Sequence, residues 1–329
     1  MPGPFGLDDA DFWTQPYRTK DAVQQRLSKE GATGLFLDAP AKVPLDGRTK
    51  LPLVGCHVVP LREARTARFA AGAVVAAAHL DEGRTHVALV EPPRVKDPSA
   101  PRPAPDDEDP GEGRVYKMFT LDAHARLPDL PWRPGSIVAT VLLRGQRAER
   151  VRSELVVPPP RGWVDPVVAE AAAAAPPPER GPERVRPRPG GELPSYRKDA
   201  RSPAPPAGVG LSLVTLRRVP ARGQLMVRGT FALPLLPHQV VDGHQVGDPE
   251  AKAVVPVDLV LLGEEATGPF VIDLAVPVHD LPPEGKPARG YFGLDLLAQP
   301  AMAHRKKQRY WLWAFAGEAM WGPQELALT

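Results

Sequence analysis

A single cysteine, Cys56, is the only thiol in 329 residues, so no intramolecular disulfide can form. That excludes a small disulfide-stapled secreted scaffold. Its flanks, VGCHVV, are apolar, and the thiol reads as a buried packing residue in preference to half of a reactive or metal-binding Cys56–His57 pair. Aromatic residues are also few, 6% of the chain, which makes any cluster of them informative. Neither sign of charge dominates, since 41 Lys+Arg against 39 Asp+Glu leave a net +2. No nucleic-acid footprint follows from so small an excess. Long hydrophobic runs are missing too. The stretch FAAGAVVAAAHL is too short for a membrane span, which needs roughly 18 uncharged apolar residues. The N-terminus, MPGPFGLDDADFW, carries acidic residues where a secretory signal would have a basic start and an apolar run, so a cytoplasmic location is expected.

The familiar catalytic signatures are absent as well. There is no Gly-x-Ser-x-Gly elbow, no His-Glu-x-x-His, no Cys-x-x-Cys and no phosphate-binding Gly-rich loop before a helix. The reading therefore leans away from an enzyme.

Proline is what the chain has in plenty: 43 Pro, with 29 Gly. The excess concentrates between 158 and 207, where PPPRGW, AAAAAPPPERGPERVRPRPGG and RSPAPPAG follow one another. Such a composition cannot bury a core and reads as an interdomain linker, semi-rigid where Pro-rich and bent where Gly-rich. Within it, WVDPVVAEAAAAA is a candidate docking helix, and the alternating Arg184, Arg186 and Arg188 read as a solvated arm or an acidic partner's contact. A second irregular stretch at 92–113 carries Asp106, Asp107, Glu108 and Asp109 in succession. It reads as a surface loop, because the alternating oxygen ligands, central Gly and distal Glu of a calcium loop are missing.

Elsewhere the pattern is β. GLFLD, LPLVGCHVVPL, THVALVEP, VYKMFTLDA, SIVATVLLR and SELVV precede the linker; GLSLVTLRRV, QLMVRGTFALPL, VVPVDLVLLG, PFVIDLAVPV, YFGLDLLA and RYWLWAFAG follow it. These short runs, β-branched or alternating and bounded by Gly, Pro and Asp, predict a mainly β fold. The expected architecture is two tandem antiparallel β-sandwich modules, Ig-like or jelly-roll-like, at 1–157 and 208–329, joined by the 158–207 linker. One helix is expected, over TKDAVQQRLSKEG, started by Thr19 and ended at Gly31. The modules also share FTLDAHA and FGLDLLA, with Phe, Leu, Asp and Ala at matching places. Four matches in seven can arise by chance in a chain this long; with the shared order of elements, a duplicated β module is the alternative reading. Aligning Gly317 on Gly145 sets Trp311, Trp313 and Phe315 against Ala139, Val141 and Leu143.

That last comparison isolates the aromatic strand. Alternate side chains of a strand share a face, so Trp311, Trp313 and Phe315 form a ridge, with Trp321 a possible extension. The ridge either fills the C-terminal core or makes a contact with the other module, a second copy, or a flat ligand such as a sugar ring. An N-terminal arm bearing Phe12, Trp13 and Tyr17 is expected to dock on its own domain or on a neighbouring subunit.

Polar candidates are sparser. His238, Asp242, His244 and Asp248 fall in a turn-rich insertion and form a candidate divalent-metal site, against the plainer reading of a solvated loop. His79 and His86 flank an Asp81–Gly83 hairpin and read as structural. Asp258 and Asp273 sit mid-strand, where alternation puts such residues on a solvent face, although paired acids on a sheet are a conceivable acid and base. Asp122 and Asp295 read as turn residues. The overall expectation is a non-catalytic structural, adapter or assembly protein with a protein partner or self-association. It would carry no cofactor, contact no nucleic acid and span no membrane. The alternatives are a carbohydrate or small-ligand binding module using the Trp ridge, and a metal-dependent enzyme using the 238–248 loop.

Overall fold

The computed structural model of the chain describes residues 27, 31–45, 51–64, 72–90, 113–157, 194–220, 223–241, 248–265, 268–302 and 305–329. The fold is mainly β, as the alternating and β-branched runs require. In the first half the strands are β1 (Gly34–Asp38), β2 (Lys42–Pro44), β3 (Pro52–Pro60), β4 (Val74–His79), β5 (Thr85–Leu89), β6 (Arg114–Asp122), β7 (Gly135–Leu143), β8 (Gln146–Arg147) and β9 (Val151–Val156). Two one-turn helices, α1 (Leu61–Ala64) and α2 (Ala123–Arg126), punctuate them. The second half holds β10 (Gly210–Thr215), β11 (Arg218–Val219), β12 (Met226–Leu233), β13 (Ala253–Gly263), β14 (Phe270–Val278), β15 (Ala288–Asp295), β16 (Arg309–Ala316) and β17 (Ala319–Leu328).

Each half pairs its strands in the same order. A three-stranded sheet β1-β3-β6 accompanies the sheet β2-β9-β7-β4-β5, with the short β8 beside β7. In the second half β10-β12-β15 accompanies β11-β17-β16-β13-β14. Even the exception repeats, since β2 runs parallel to β9 and β11 parallel to β17 while the other pairs are antiparallel. Both sheets of a half feed one core. Leu37, Leu53 and Leu121 from the small sheet meet Val75, Val141 and Leu155 from the large one. In the second half Val227, Phe231 and Phe292 meet Leu259, Leu274 and Leu312. Period-2 patterning does this work, as in β9, where Val151, Ser153 and Leu155 are buried and Arg152 and Glu154 exposed.

The shared sequence motif has a shared structural job. Phe119 lies over Gly55 and Phe292 over Gly229, so that a Cβ on either glycine would meet ring carbons at 2.0 and 2.1 Å. Three residues on, Asp122 Oδ1 accepts the backbone N–H groups of Leu51 and His124. Asp295 Oδ1 accepts those of Leu225 and Leu297. Both aspartates thus end a strand, cap the turn that follows, and tie it to a preceding strand.

The repeat also corrects the register used to compare the halves. Arg144 and Gly317 occupy the same left-handed turn position, at φ 52° and 55°. Leu143 and Gly317's neighbour Ala316 then correspond, and the aromatic ridge falls opposite Val138, Thr140 and Leu142, one residue away from the Ala139–Val141–Leu143 match. A one-residue slip exchanges the two faces of a strand: Ala139, Val141 and Leu143 point into the first core, whereas Leu142 points out of it.

Of the expected N-terminal helix, Leu27 is described; it is helical and buried against Val54, Cys56 and Val58. Ala32 N–H donates to the Leu27 carbonyl at 3.2 Å, and Gly31 has φ 64°. That geometry is a glycine stop in which the sixth residue bonds back to the first. The acidic 106–109 cluster and the Arg184–Arg188 run lie outside the described residues. The end of the Pro-rich stretch is seated on the second half: Ser195 and Gly293 exchange two backbone hydrogen bonds of 2.7 Å, and Tyr196 packs against the core. Arg228 Nε donates to Asp199 Oδ2 at 2.6 Å beside them.

Candidate functional surfaces

The outward face of the aromatic strand meets the other half of the chain. Trp313, Phe315, Val260 and Leu262 form one cluster with Val74, Ala76 and Leu142, ringed by Val87, Leu89 and Met320. The large sheets of the two halves are therefore stacked. This explains why both faces of β16 are apolar: Tyr310, Leu312, Ala314 and Ala316 line their own core, and the ridge faces the stacked sheet. Trp311, Trp313 and Phe315 keep 9, 0 and 3% of their surface. The Trp311 indole lies so close to Gly145 that a Cβ there would sit 3.0 Å from Nε1. Trp313 Nε1 has no hydrogen-bond partner among the described residues, a cost of about 1–3 kcal/mol accepted for the packing. Trp321 is half buried on the opposite face, against the second core, and so does not extend the ridge. Phe12 and Trp13 lie outside the described residues.

Polar contacts edge the same junction. Gly317 N–H donates to the Gly83 carbonyl at 2.8 Å, and Arg150 Nη1 donates to the Glu318 carbonyl. Arg152 reaches the Glu318 carboxylate at 3.3 Å. Deeper in, Thr85 N–H donates to Asp258 Oδ2 at 2.6 Å, and at the part-exposed edge beside it Arg84 Nη2 donates to Asp273 Oδ2 at 2.9 Å. Asp258 is 1% exposed, contrary to the solvent face expected of it, because the covering surface comes from the other half. Burial, helped by the neighbouring Asp273, pushes its carboxyl up to about 8 against the pull of Thr85 N–H and Arg84.

The two hairpin histidines find separate partners. His79 Nε2 lies 3.3 Å from the Arg133 carbonyl, and burial holds the ring below its ordinary pKa. His86 Nε2 lies 3.5 Å from Glu82. Cys56 is buried, and that burial pushes its thiol up to about 12, so it is chemically quiet.

The candidate metal residues are partly described. His238 is exposed in the short 3-10 turn Pro237–Gln239, while Asp242 and His244 lie outside the described residues. Asp248 Oδ2 is 3.0 Å from Nε2 of His279, a residue the sequence reading passed over, and that hydrogen bond holds the Asp248 carboxyl below its usual range. No group of three or more His, Cys, Asp or Glu able to hold a metal ion occurs among the described residues. The sequence signal for His279 was slight: it stands just past an apolar strand, 31 residues beyond its partner.

Around the Asp248–His279 pair runs an open apolar groove. One depression of about 660 Å³ is lined by Val240, Val241, Lys252, His279 and Leu281. An adjoining one of about 470 Å³ shares Val240 and Leu281 and adds Val209, Pro234, Pro283 and Pro287. Val209, Val240 and Leu281 are 64, 50 and 45% exposed, and they were not singled out by sequence because isolated Val and Leu near prolines carry no periodic signal.

The sequence matches no protein-family profile and no curated protein. A transglutaminase structure from red sea bream aligns over 94% of this chain at 10% identity and a TM-score of 0.19. The chain spans about a third of that protein's length, 34%, and a likeness this slight supports no functional argument. No helix among the described residues is long and apolar enough to cross a membrane.

Proposed function

We propose that the chain is a non-catalytic structural, adapter or assembly protein. Its two halves, each a β-sandwich module, act as one rigid body, and a protein partner or a second copy binds on its surface. The observation that carries this reading is the groove of Val209, Val240 and Leu281, whose exposed apolar side chains sit together between prolines at the loop end of the second half. Clustered apolar exposure of this kind is characteristic of interaction sites. Lys252, Lys286, Glu250 and Glu284 flank it with both signs of charge, a rim suited to a protein surface. On this reading the Trp311–Trp313–Phe315 ridge serves the body's internal cohesion.

Sedimentation equilibrium over a wide concentration range is the test. Self-assembly through the groove predicts concentration-dependent association that weakens about ten-fold or more in a Val240→Glu, Leu281→Glu variant. Association that the double variant leaves unchanged would remove the groove from the account, and a monomer throughout would leave only a heterologous partner.

A further inference from the structure

We infer that Asp258, Asp273 and Arg84 form a proton-operated latch between the two stacked sheets, closed while the two carboxyls share one proton and weakened when both are ionised. The inference is independent of the groove.

The geometry begins with register. Asp258 on β13 stands directly across from Asp273 on β14 and from Phe315 on β16. It therefore shares the outward face of the second half's large sheet with Val260, Leu262 and Phe315, in the apolar junction. The β4–β5 hairpin of the first half supplies the rest. Its Thr85 N–H donates to Asp258, and its Arg84 guanidinium pairs with Asp273. Two carboxyls thus face one cation. With a proton between them the group is neutral overall; without it, the buried Asp258 carboxylate is left charged while Arg84 is already paired with the part-exposed Asp273, a costly arrangement.

The surrounding charges do not cancel that excess. Asp258 is acted on by Asp273 and Arg84. Arg84 in turn feels Asp273, Asp258 and Glu82; burial works against its charge, but these carboxylates outweigh it and hold the guanidinium more firmly protonated. Glu82 is already engaged: burial resists its ionisation, yet His86, Arg84 and Arg133 overcome that and keep it ionised. β16 contributes the uncharged Phe315, and the Pro237–Gln239 turn brings the uncharged Gln239 near Gly83.

The sign follows from the direction of the Asp258 shift. Burial pushes its folded carboxyl up to about 8, above the ordinary carboxylate range that it regains when exposed. The closed junction therefore binds a proton that the open one does not. Closure is strongest below about pH 4 and is lost progressively as pH rises, with the opening constant increasing up to about ten-fold per pH unit and levelling off above about pH 8.

Hydrogen exchange of the Thr85 and Gly317 amides in the full chain, corrected for intrinsic rates, reads this opening at two separate points of the junction. Asp258→Asn keeps an acceptor for Thr85 N–H and a donor for Asp273, so it is the permanently closed control. Between pH 5 and 7.5 the wild-type opening constant should climb by about ten-fold per pH unit relative to Asp258→Asn, at both amides. In Asp273→Asn, where the like charge is gone, the levelling point should move to lower pH. Parallel pH profiles for wild type and Asp258→Asn would overturn the latch, as would a response at Thr85 with none at Gly317. Should Asp258→Asn fail to fold, an Asp273→Asn profile superimposable on wild type would overturn it equally.

Discussion

At the scale of single residues, Trp313 carries an opposition that a substitution can separate. Its ring fills the junction, while its Nε1 is buried without a partner among the described residues. Trp313→Phe should keep most of the packing and remove the orphaned donor, changing unfolding free energy by no more than about 1 kcal/mol. Trp313→Ala should cost about 3–5 kcal/mol, read by chemical denaturation. Cys56 makes a simpler prediction: with its thiol pushed up to about 12 and buried, it should resist a disulfide reagent in native protein and react promptly once unfolded. Sequence alone delivered the buried thiol and the turn-forming Asp122 and Asp295. Mid-strand alternation misplaced Asp258, because the surface that buries it arrives from Thr85, 173 positions earlier in the chain.

At the scale of elements, the paired Phe-over-Gly contacts explain why two strands tolerate glycine. Gly229→Ala and Gly55→Ala would each force an aromatic ring aside, and each should destabilise by about 1–3 kcal/mol, with the second half's core affected by one and the first half's by the other. Asp295→Ala should cost about 1–3 kcal/mol by stranding the Leu225 and Leu297 N–H groups. Most strands were legible, because β-branched runs bounded by Gly, Pro and Asp leave little else for the backbone to do. The register between the halves was less so. Matching glycine to glycine was reasonable for a left-handed turn, but the first half places Arg144 there, and the slip of one residue exchanged core face for junction face. The His238-to-Asp248 stretch suggested ligands by composition; the pairing found is Asp248 with His279, a contact between segments that no local spacing encodes.

At the scale of the whole molecule, the two halves repeat one strand order and meet through unlike surfaces. Both halves present the outward face of a large sheet, and on the first half this face is built from aliphatic residues, Val74, Ala76 and Leu142 among them. The second half answers with Trp313 and Phe315, which are 0 and 3% exposed against it. The two halves share a strand order but differ in this face, where the second carries the Trp311–Trp313–Phe315 ridge. The most direct measurement of this account is a double-mutant cycle between Leu142→Ala and Trp313→Ala, one from each half, followed by denaturant unfolding. Contact across the junction predicts a coupling energy of about 0.5–3 kcal/mol. Strictly additive losses would contradict it, and with it the view that the ridge holds the halves together.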